Sequence, residues 1–491
     1  VEMSTRLKTV SIIGLVASFL GAGIALFAQS ATAEVVGAIK DPLVIQRCAG
    51  CHPQDAQGRL DRVSFHRKTP EGWYMSVFRT TRLYGVQITD EERSKIVKYL
   101  TDVLGLAPAE EAPAAYHLER YRHLTTGDEF KIFKFSPEEK AAIQGACTRC
   151  HSLAFFGEQR RSPSQWELLR EWHESIWPML MLTMRSVDWD DVAKQAIHAL
   201  VKKFPFETPE WLAWRENKGL ELSGKWQIVG HHPTRGDLNG TVQFTSVGDG
   251  WYQESGTATY TNGNTIQWTG KVALYNKGSV RSDLNMNGKR WKGVYRAVPT
   301  VDGDAMTGSS WMKDDIGIRF EAAYFRPGTT PPPVRSYGAA KIPAGKSVDY
   351  IKVVPQFGVG VLGDRYPTPP ESVQFEAIGY SSGPDRMPGT ADDVELGPVE
   401  AEWDTRELAF LHGDDEVAYV GKINKSTGLF TPGLPGSNPA RKEYRGGKNA
   451  EGFANAGEVW AYATYRPKEG NALEARAYLL SMPPYFNRFY H

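Results

Sequence analysis

Residues 9–28, TVSIIGLVASFLGAGIALFA, form an unbroken apolar run, with Arg6 and Lys8 ahead of it and Ala31-Thr32-Ala33 behind it. A charged start, an apolar stretch and an A-x-A triplet predict a signal peptide over 1–33, with an exported mature chain that begins near Glu34. An uncleaved anchor is the alternative, since the run is nearly long enough to span a bilayer. No later segment is apolar for that length, so no membrane span is expected after processing. From there to about residue 217 the apolar positions recur at helical spacing. Asp41-Pro42 opens one helix and Ser136-Pro137-x-Glu139 opens another as a capping box with proline at its first position. The stretch after Thr89, with Glu92 three residues on, and the stretch around 189–204 read as further helices.

Beyond 217 the period changes to alternation. SGKWQIVGHH, GTVQFTSV, WYQESGTATY, TIQWTGKVALYN and RFEAAYF are short runs rich in Val, Thr, Tyr and Trp. Asn262-Gly263 between two of them signals a type I′ hairpin. The predicted fold class is multidomain: an all-α domain followed by two all-β domains, barrel or sandwich. The predicted boundaries are 34–217 for the helical domain, with units at about 34–107 and 128–217. They continue with 219–328 for an antiparallel barrel or sandwich, 329–346 for a proline-rich linker, and 347–491 for a C-terminal β-sandwich. A chain of 491 residues is in keeping with about three domains.

Charge changes the picture by exclusion. Lys+Arg and Asp+Glu both number 57, so no net field draws the chain to nucleic acid or an acidic membrane surface. The four cysteines of an exported chain suggest disulfides. Their placement argues otherwise: Cys48, Cys51 and His52 form one C-x-x-C-H, and Cys147, Cys150 and His151 form a second. Two thiols at that spacing add to the vinyl groups of one haem, and the adjacent histidine becomes the proximal iron ligand. With no cysteine left over, the motifs predict two covalently bound haem c groups.

The surroundings repeat as well. RKTPEGW (67–73) matches RRSPSQW (160–166) position by position, each a capped helix start with a tryptophan on its first turn. In the second unit Trp166, Leu169 and His173 share a helix face, so His173 is the candidate sixth ligand; Met179, Met181 and Met184 compete with it. In the first unit the equivalent position is Thr80, which does not bind haem iron. One turn on lies Tyr84, which can ligate ferric haem, followed in rank by His66, Met75 and an open site.

Elsewhere His117, His123 and His198 read as packed or solvent-facing side chains. His231-His232 is a pair with no carboxylate in register, and reads as a turn. GPDRMPGTADD (383–393) has the Asp and Gly spacing of a calcium loop without the closing glutamate of an EF-hand.

RKTPEGW, RRSPSQW, SGKWQIVGHHPTRGDLNG, IKVVPQF and FTPGLPGSNPARKEYRGGKNAEG, in this order, resemble the large dihaem cytochrome c subunit of quinohemoprotein amine dehydrogenase. The resemblance implies a periplasmic subunit assembled with a β-propeller subunit and a small subunit bearing cysteine tryptophylquinone. It implies that primary amines are oxidised at the quinone and that electrons pass through two haems to a copper protein or cytochrome c. It also implies Cys48, Cys51 and His52 at the first haem, and Cys147, Cys150, His151 and His173 at the second. Two features depart from that pattern. Thr80 and Tyr84 stand where the family has a methionine and a histidine, and a proline-rich linker stands where it has an immunoglobulin-like domain. A dihaem peroxidase or oxygenase-like enzyme with an open or Tyr-ligated first haem is the alternative. No catalytic residue of the chain's own is identified.

Overall fold

Residues 35–111, 128–148, 152–176, 187–334, 347–363, 370–408, 416–434, 437–438, 441 and 453–483 are described by the computed structural model. The expected signal peptide and the linker residues 335–346 lie outside them, as do Cys150, His151, Met179, Met181, Met184, His117 and His123.

The helices start where their caps dictate. Asp41 accepts the Val44 N–H at the start of α1 (Pro42–Cys48), and Thr69 accepts that of Gly72 at the start of α2 (Pro70–Tyr84). Capping boxes open α3 (Asp90–Leu104) and, after the four-residue α4 (Pro108–Glu111), α5 (Pro137–Ala146). The second unit continues with α6 (Pro163–Ile176) and α7 (Trp189–Lys203). In α7 Ala193, Ala196, Ile197 and Leu200 form the buried stripe that packs on Ile143 and Trp166.

The helical region is not all-α, and the described residues are richer in strand than in helix, so the expected fold class is corrected. Between the two units β1 (His66–Lys68) pairs antiparallel with β2 (Gln159–Arg161), and a closed eight-stranded barrel dominates the remainder. Each ribbon strand runs into a Thr-Pro or Ser-Pro helix start, where the residue before proline is held extended. Thr69, for example, has φ −62° and ψ 164°. Three polar residues carry no readable period, so the sequence showed the helix starts and hid the strands before them.

The barrel runs β3 (Gly224–His232), β4 (Gly236–Gly248), β5 (Trp251–Tyr260), β6 (Thr265–Tyr275), β7 (Ser279–Met286), β8 (Lys289–Val298), β9 (Ala305–Met312) and β10 (Asp315–Phe325). It closes by pairing β10 with β3. Alternate side chains, among them Trp226, Phe244, Trp268, Tyr295 and Tyr324, fill it. Gly256 is needed there, because a Cβ would lie 2.1 Å from the Trp268 ring. The hairpin at 260–265 is not type I′. Only Gly263 takes a positive φ (85°) and Gly263 N–H donates to the Tyr260 carbonyl, which makes a longer loop with glycine in the left-handed position. Four further sheets lie among the described residues of the C-terminal region, including one in which Phe357–Val361 pairs parallel to Leu473–Met482.

The haem-unit helices dock on the barrel wall. Leu100 and Leu104 of α3 share a core with Ala273 and Tyr275 of β6. Arg281 of β7 forks onto Glu71 of α2 at 2.6 and 2.9 Å and also donates to Glu111 of α4.

Candidate functional site

At the first motif Cys48 ends α1, and the amides of Cys51 and His52 both donate to the Cys48 carbonyl at 3.2 and 2.9 Å. The turn folds His52 back beneath the motif, and a Cβ added at Gly50 would meet nothing within 4 Å, so one side of the loop is open. Burial, then the neighbouring Cys51, pushes the Cys48 thiol up to about 11, so it is a protonated thiol rather than a standing nucleophile. Burial lowers the His52 pKa and keeps its ring neutral. His52 Nδ1 is buried with no hydrogen-bond partner among the described residues. Free thiols beside a neutral, half-buried imidazole are the donor set that a haem of the c type takes.

Cys147 caps α5 as the counterpart of Cys48 in the second motif. His173 lies on α6, and its Nδ1 donates to the Leu169 carbonyl at 2.8 Å. A carbonyl only accepts, so the hydrogen is fixed on Nδ1 and the lone pair on Nε2. Such a bond orients a ligating imidazole and leaves Nε2 to face a metal. Burial lowers the His173 pKa, and the nearby Arg161 and Arg79 add to this.

Of the first-unit candidates, Tyr84 is the last residue of α2 and is 65% exposed. Thr80 donates its hydroxyl to the Ser76 carbonyl. Met75 is buried against Ala154 and Phe155, beside the second motif. His66 is half-buried, 3.0 Å from both Gln165 Oε1 and Arg161 Nη1. The fold thus takes Met75 inside, half-buries His66 and leaves Tyr84 at the surface.

The two units meet at the ribbon, where equivalent residues of the repeats face each other. Arg67 lies opposite Arg160, and Arg79 stacks its guanidinium 5.3 Å over the ring of Trp172, its own counterpart. The ribbon's register is symmetric about the Arg67–Arg160 pair, with His66 opposite Arg161 and Lys68 opposite Gln159. Alternation gives the ribbon two chemically different faces. On one, Arg67 grips Glu110 through both nitrogens at 2.7 and 2.8 Å, and Arg160 approaches the same carboxylate at 3.2 Å. Burial pushes the Glu110 carboxyl up, but Arg67, with Arg160 and Thr208, more than reverses this and holds it at about 2. On the other face lie His66, Lys68, Gln159 and Arg161.

His198 is exposed on α7. His231 and His232 form no turn: they end β3 and are buried. His231 is clamped between Asp237 Oδ1 at 2.8 Å and Glu376 Oε1 at 2.6 Å. Asp237 is its cross-strand partner, a register that the HHPTRGD spacing of a hairpin could have shown; Glu376, 145 residues away, had no signal. In 383–393 the Asp393 carboxylate takes the Gly389 and Thr390 amides at 2.6 and 3.0 Å. Among the described residues no three His, Cys, Asp or Glu side chains are grouped to hold a metal ion. Among them, too, no helix is long and apolar enough to cross a membrane.

Comparison with curated proteins returned no match. Similar solved structures include a redesigned β-barrel bound to DFHBI, at 16% identity over 21% of this chain and 94% of that one, TM-score 0.19. An M. tuberculosis protein matches at 16% over 21% and 92%, TM-score 0.17. A protocadherin gamma C5 fragment matches at 12% over 49% and 56%, TM-score 0.16. At these scores they carry no argument. Family models are decisive. The haem-binding model of the quinohemoprotein amine dehydrogenase alpha subunit matches residues 38–211, that of its domain II matches 220–324, and that of its domain IV matches 351–489. With haem-type donors in both units and these three matches in order along it, the chain belongs to the alpha subunits of quinohemoprotein amine dehydrogenase, the haem-binding electron-transfer subunit that assembles with the other subunits of that enzyme.

Proposed function

We propose that this chain is a periplasmic dihaem c-type cytochrome. It carries electrons from a quinone-bearing small subunit, where primary amines are oxidised, to an external cytochrome or copper protein. The observation that carries this is the pairing of equivalent repeat segments, Arg67 opposite Arg160, which joins the two motif-bearing units. Two carriers so related suit electron passage in series. In this reading Cys48 and Cys51 bind the first haem with His52 as proximal ligand. Cys147, Cys150 and His151 bind the second, with His173 as its sixth ligand. The haems supply reversible one-electron chemistry. The chain's residues attach and orient them, and the β regions dock a β-propeller subunit and the quinone subunit.

A second reading is favoured by one feature of the first unit: Thr80 stands where its counterpart is His173, and Tyr84 faces solvent. A first haem left open, or reached by Tyr84, would react with peroxide, as in a dihaem peroxidase or oxygenase-like enzyme.

Low-temperature EPR of the purified oxidised protein, with and without hydrogen peroxide, separates the two. Two low-spin signals that peroxide leaves unchanged support the electron-transfer reading. A high-spin signal that peroxide alters overturns it in favour of the second.

A further inference from the structure

The two faces of the ribbon treat their cations differently. Arg67 and Arg160 share the Glu110 carboxylate. Lys68 and Arg161, equivalent to each other in the repeats, are 6% and 8% exposed and have no carboxylate partner among the described residues. Lys68 Nζ donates to Ser76 Oγ at 2.6 Å and lies 5.1 Å over the Trp73 ring. Arg161 Nε donates to Gln159 Oε1 at 2.9 Å, and its guanidinium lies 5.4 Å over the ring of Trp166, the counterpart of Trp73. Each unit therefore seats one buried cation on its own tryptophan and surrounds it with neutral groups.

A buried cation without a counter-ion is costly, and the fold supplies a carboxylate one residue away where the cation is structural. Burial and mutual repulsion hold the Lys68 pKa well below the ordinary range, and burial with Arg79 brings Arg161 to about 9. An anion from outside the chain would supply the missing counter-charge. The anion must come twice, once for each repeat. On this face Arg161 Nη1 lies 3.0 Å from His66 Nε2, a candidate ligand of the first haem.

We propose that Lys68 and Arg161 each receive the propionate carboxylates of one haem, Lys68 for the first and Arg161 for the second. This rests on the two-haem reading. Each is a positioning residue that also raises the reduction potential of its haem, since a nearby positive charge disfavours the ferric state. Arg161, seated in the second unit and in contact with His66 of the first, links the two centres electrostatically.

The test is spectroelectrochemical titration of Lys68→Met and Arg161→Met in the full chain, with haem content measured by the pyridine haemochrome. Each variant is expected to lower the midpoint of one haem by about 59 mV, a tenfold change in that one-electron equilibrium, and to leave the other near its original value. Lys68→Arg and Arg161→Lys are expected to restore both midpoints, which a merely structural role does not require. The propionate bending modes of the resonance Raman spectrum should shift in the methionine variants alone. Two haems per chain with unmoved midpoints and unmoved bending modes overturn the proposal and leave the two-haem reading standing. Fewer than two haems in the unaltered chain removes that reading itself. If a methionine variant takes up no haem, the charge-retaining variant decides: loss of the original midpoint there also overturns the proposal.

Discussion

Thr80 and His173 hold equivalent positions on equivalent helices, and each donates a side-chain hydrogen to the carbonyl one turn back, at Ser76 (3.0 Å) and Leu169 (2.8 Å). A neutral aliphatic hydroxyl is a poor iron ligand, whereas the imidazole keeps the Nε2 lone pair. His173→Ala is therefore expected to turn one haem equivalent from low to high spin in low-temperature EPR and to leave the other signal as it was. Thr80→His should move the first haem's signal onto that of the second. An unchanged spectrum in His173→Ala would remove His173 from the ligand set.

Glu110 is expected to anchor the joint between the two units. Glu110→Gln leaves Arg67 and Arg160 buried without their shared charge, at a cost of about 3–5 kcal/mol, read as a lowered denaturant midpoint. The pH dependence has a definite sign. Glu110 is held at about 2 against an ordinary 4.5, so its contribution, about 3 kcal/mol, is complete above pH 4.5. It is lost as pH falls toward 2. The wild type should lose stability steeply in that window, and the glutamine variant should start lower and fall less. Equal slopes in the two proteins would show that the carboxylate is not the linked group.

His231 gives the opposite slope. Burial disfavours its protonated form, but the bonds and charges of Glu376 and then Asp237 outweigh this and raise its pKa above 6.5. A raised folded value means that the clamp between barrel and C-terminal region is at full strength below pH 6.5. It weakens as pH rises through that folded value. His231→Gln should lower the unfolding free energy at pH 6 by about 1.5–3 kcal/mol, the range for a hydrogen bond to a charged group. The difference should shrink at higher pH; a gap constant from pH 5 to 9 would show that His231 does not titrate between its two carboxylates.

The pattern of the chain made its regular parts legible and left its joints hidden. Caps at Thr89 and Ser136 and the alternation of β5 and β6 follow from local rules, and the structure obeys them. The repeat in the sequence pointed to His173 and to its missing counterpart at Thr80. What it could not show is which polar residues meet across a long separation. Arg67, Glu110 and Arg160 come together from three segments, and His231 reaches Glu376 from another sheet. Charged residues carry no burial signal until the partner is known. The ribbon was unreadable for the same reason: its strands are three residues of His, Gln, Lys and Arg.

Glu254 shows how such hidden groups can also oppose stability. It points into the barrel core, where its Oε1 accepts from Trp268 Nε1 at 2.7 Å and Tyr324 OH at 3.3 Å. Burial raises its pKa to about 7, and the two donors only partly offset this. A carboxyl whose folded value is raised binds its proton more tightly in the folded state. Stability therefore declines as pH rises from about 4.5 to 7 and stays lowered beyond, by about 3 kcal/mol from the size of the shift. Glu254→Gln keeps an acceptor for both donors and has no charge to desolvate. It should raise the unfolding free energy at pH 8 by about that amount, change little at pH 4, and remove the decline between. Because Glu110 acts only below pH 4.5 and His231 with the same sign as Glu254 but only above pH 6.5, urea titrations at pH 3, 5.5 and 8 separate the three. Were the glutamine variant no more stable than the wild type at pH 8, the Trp268 and Tyr324 bonds would already carry the charge, and the barrel core would hold Glu254 ionised at neutral pH.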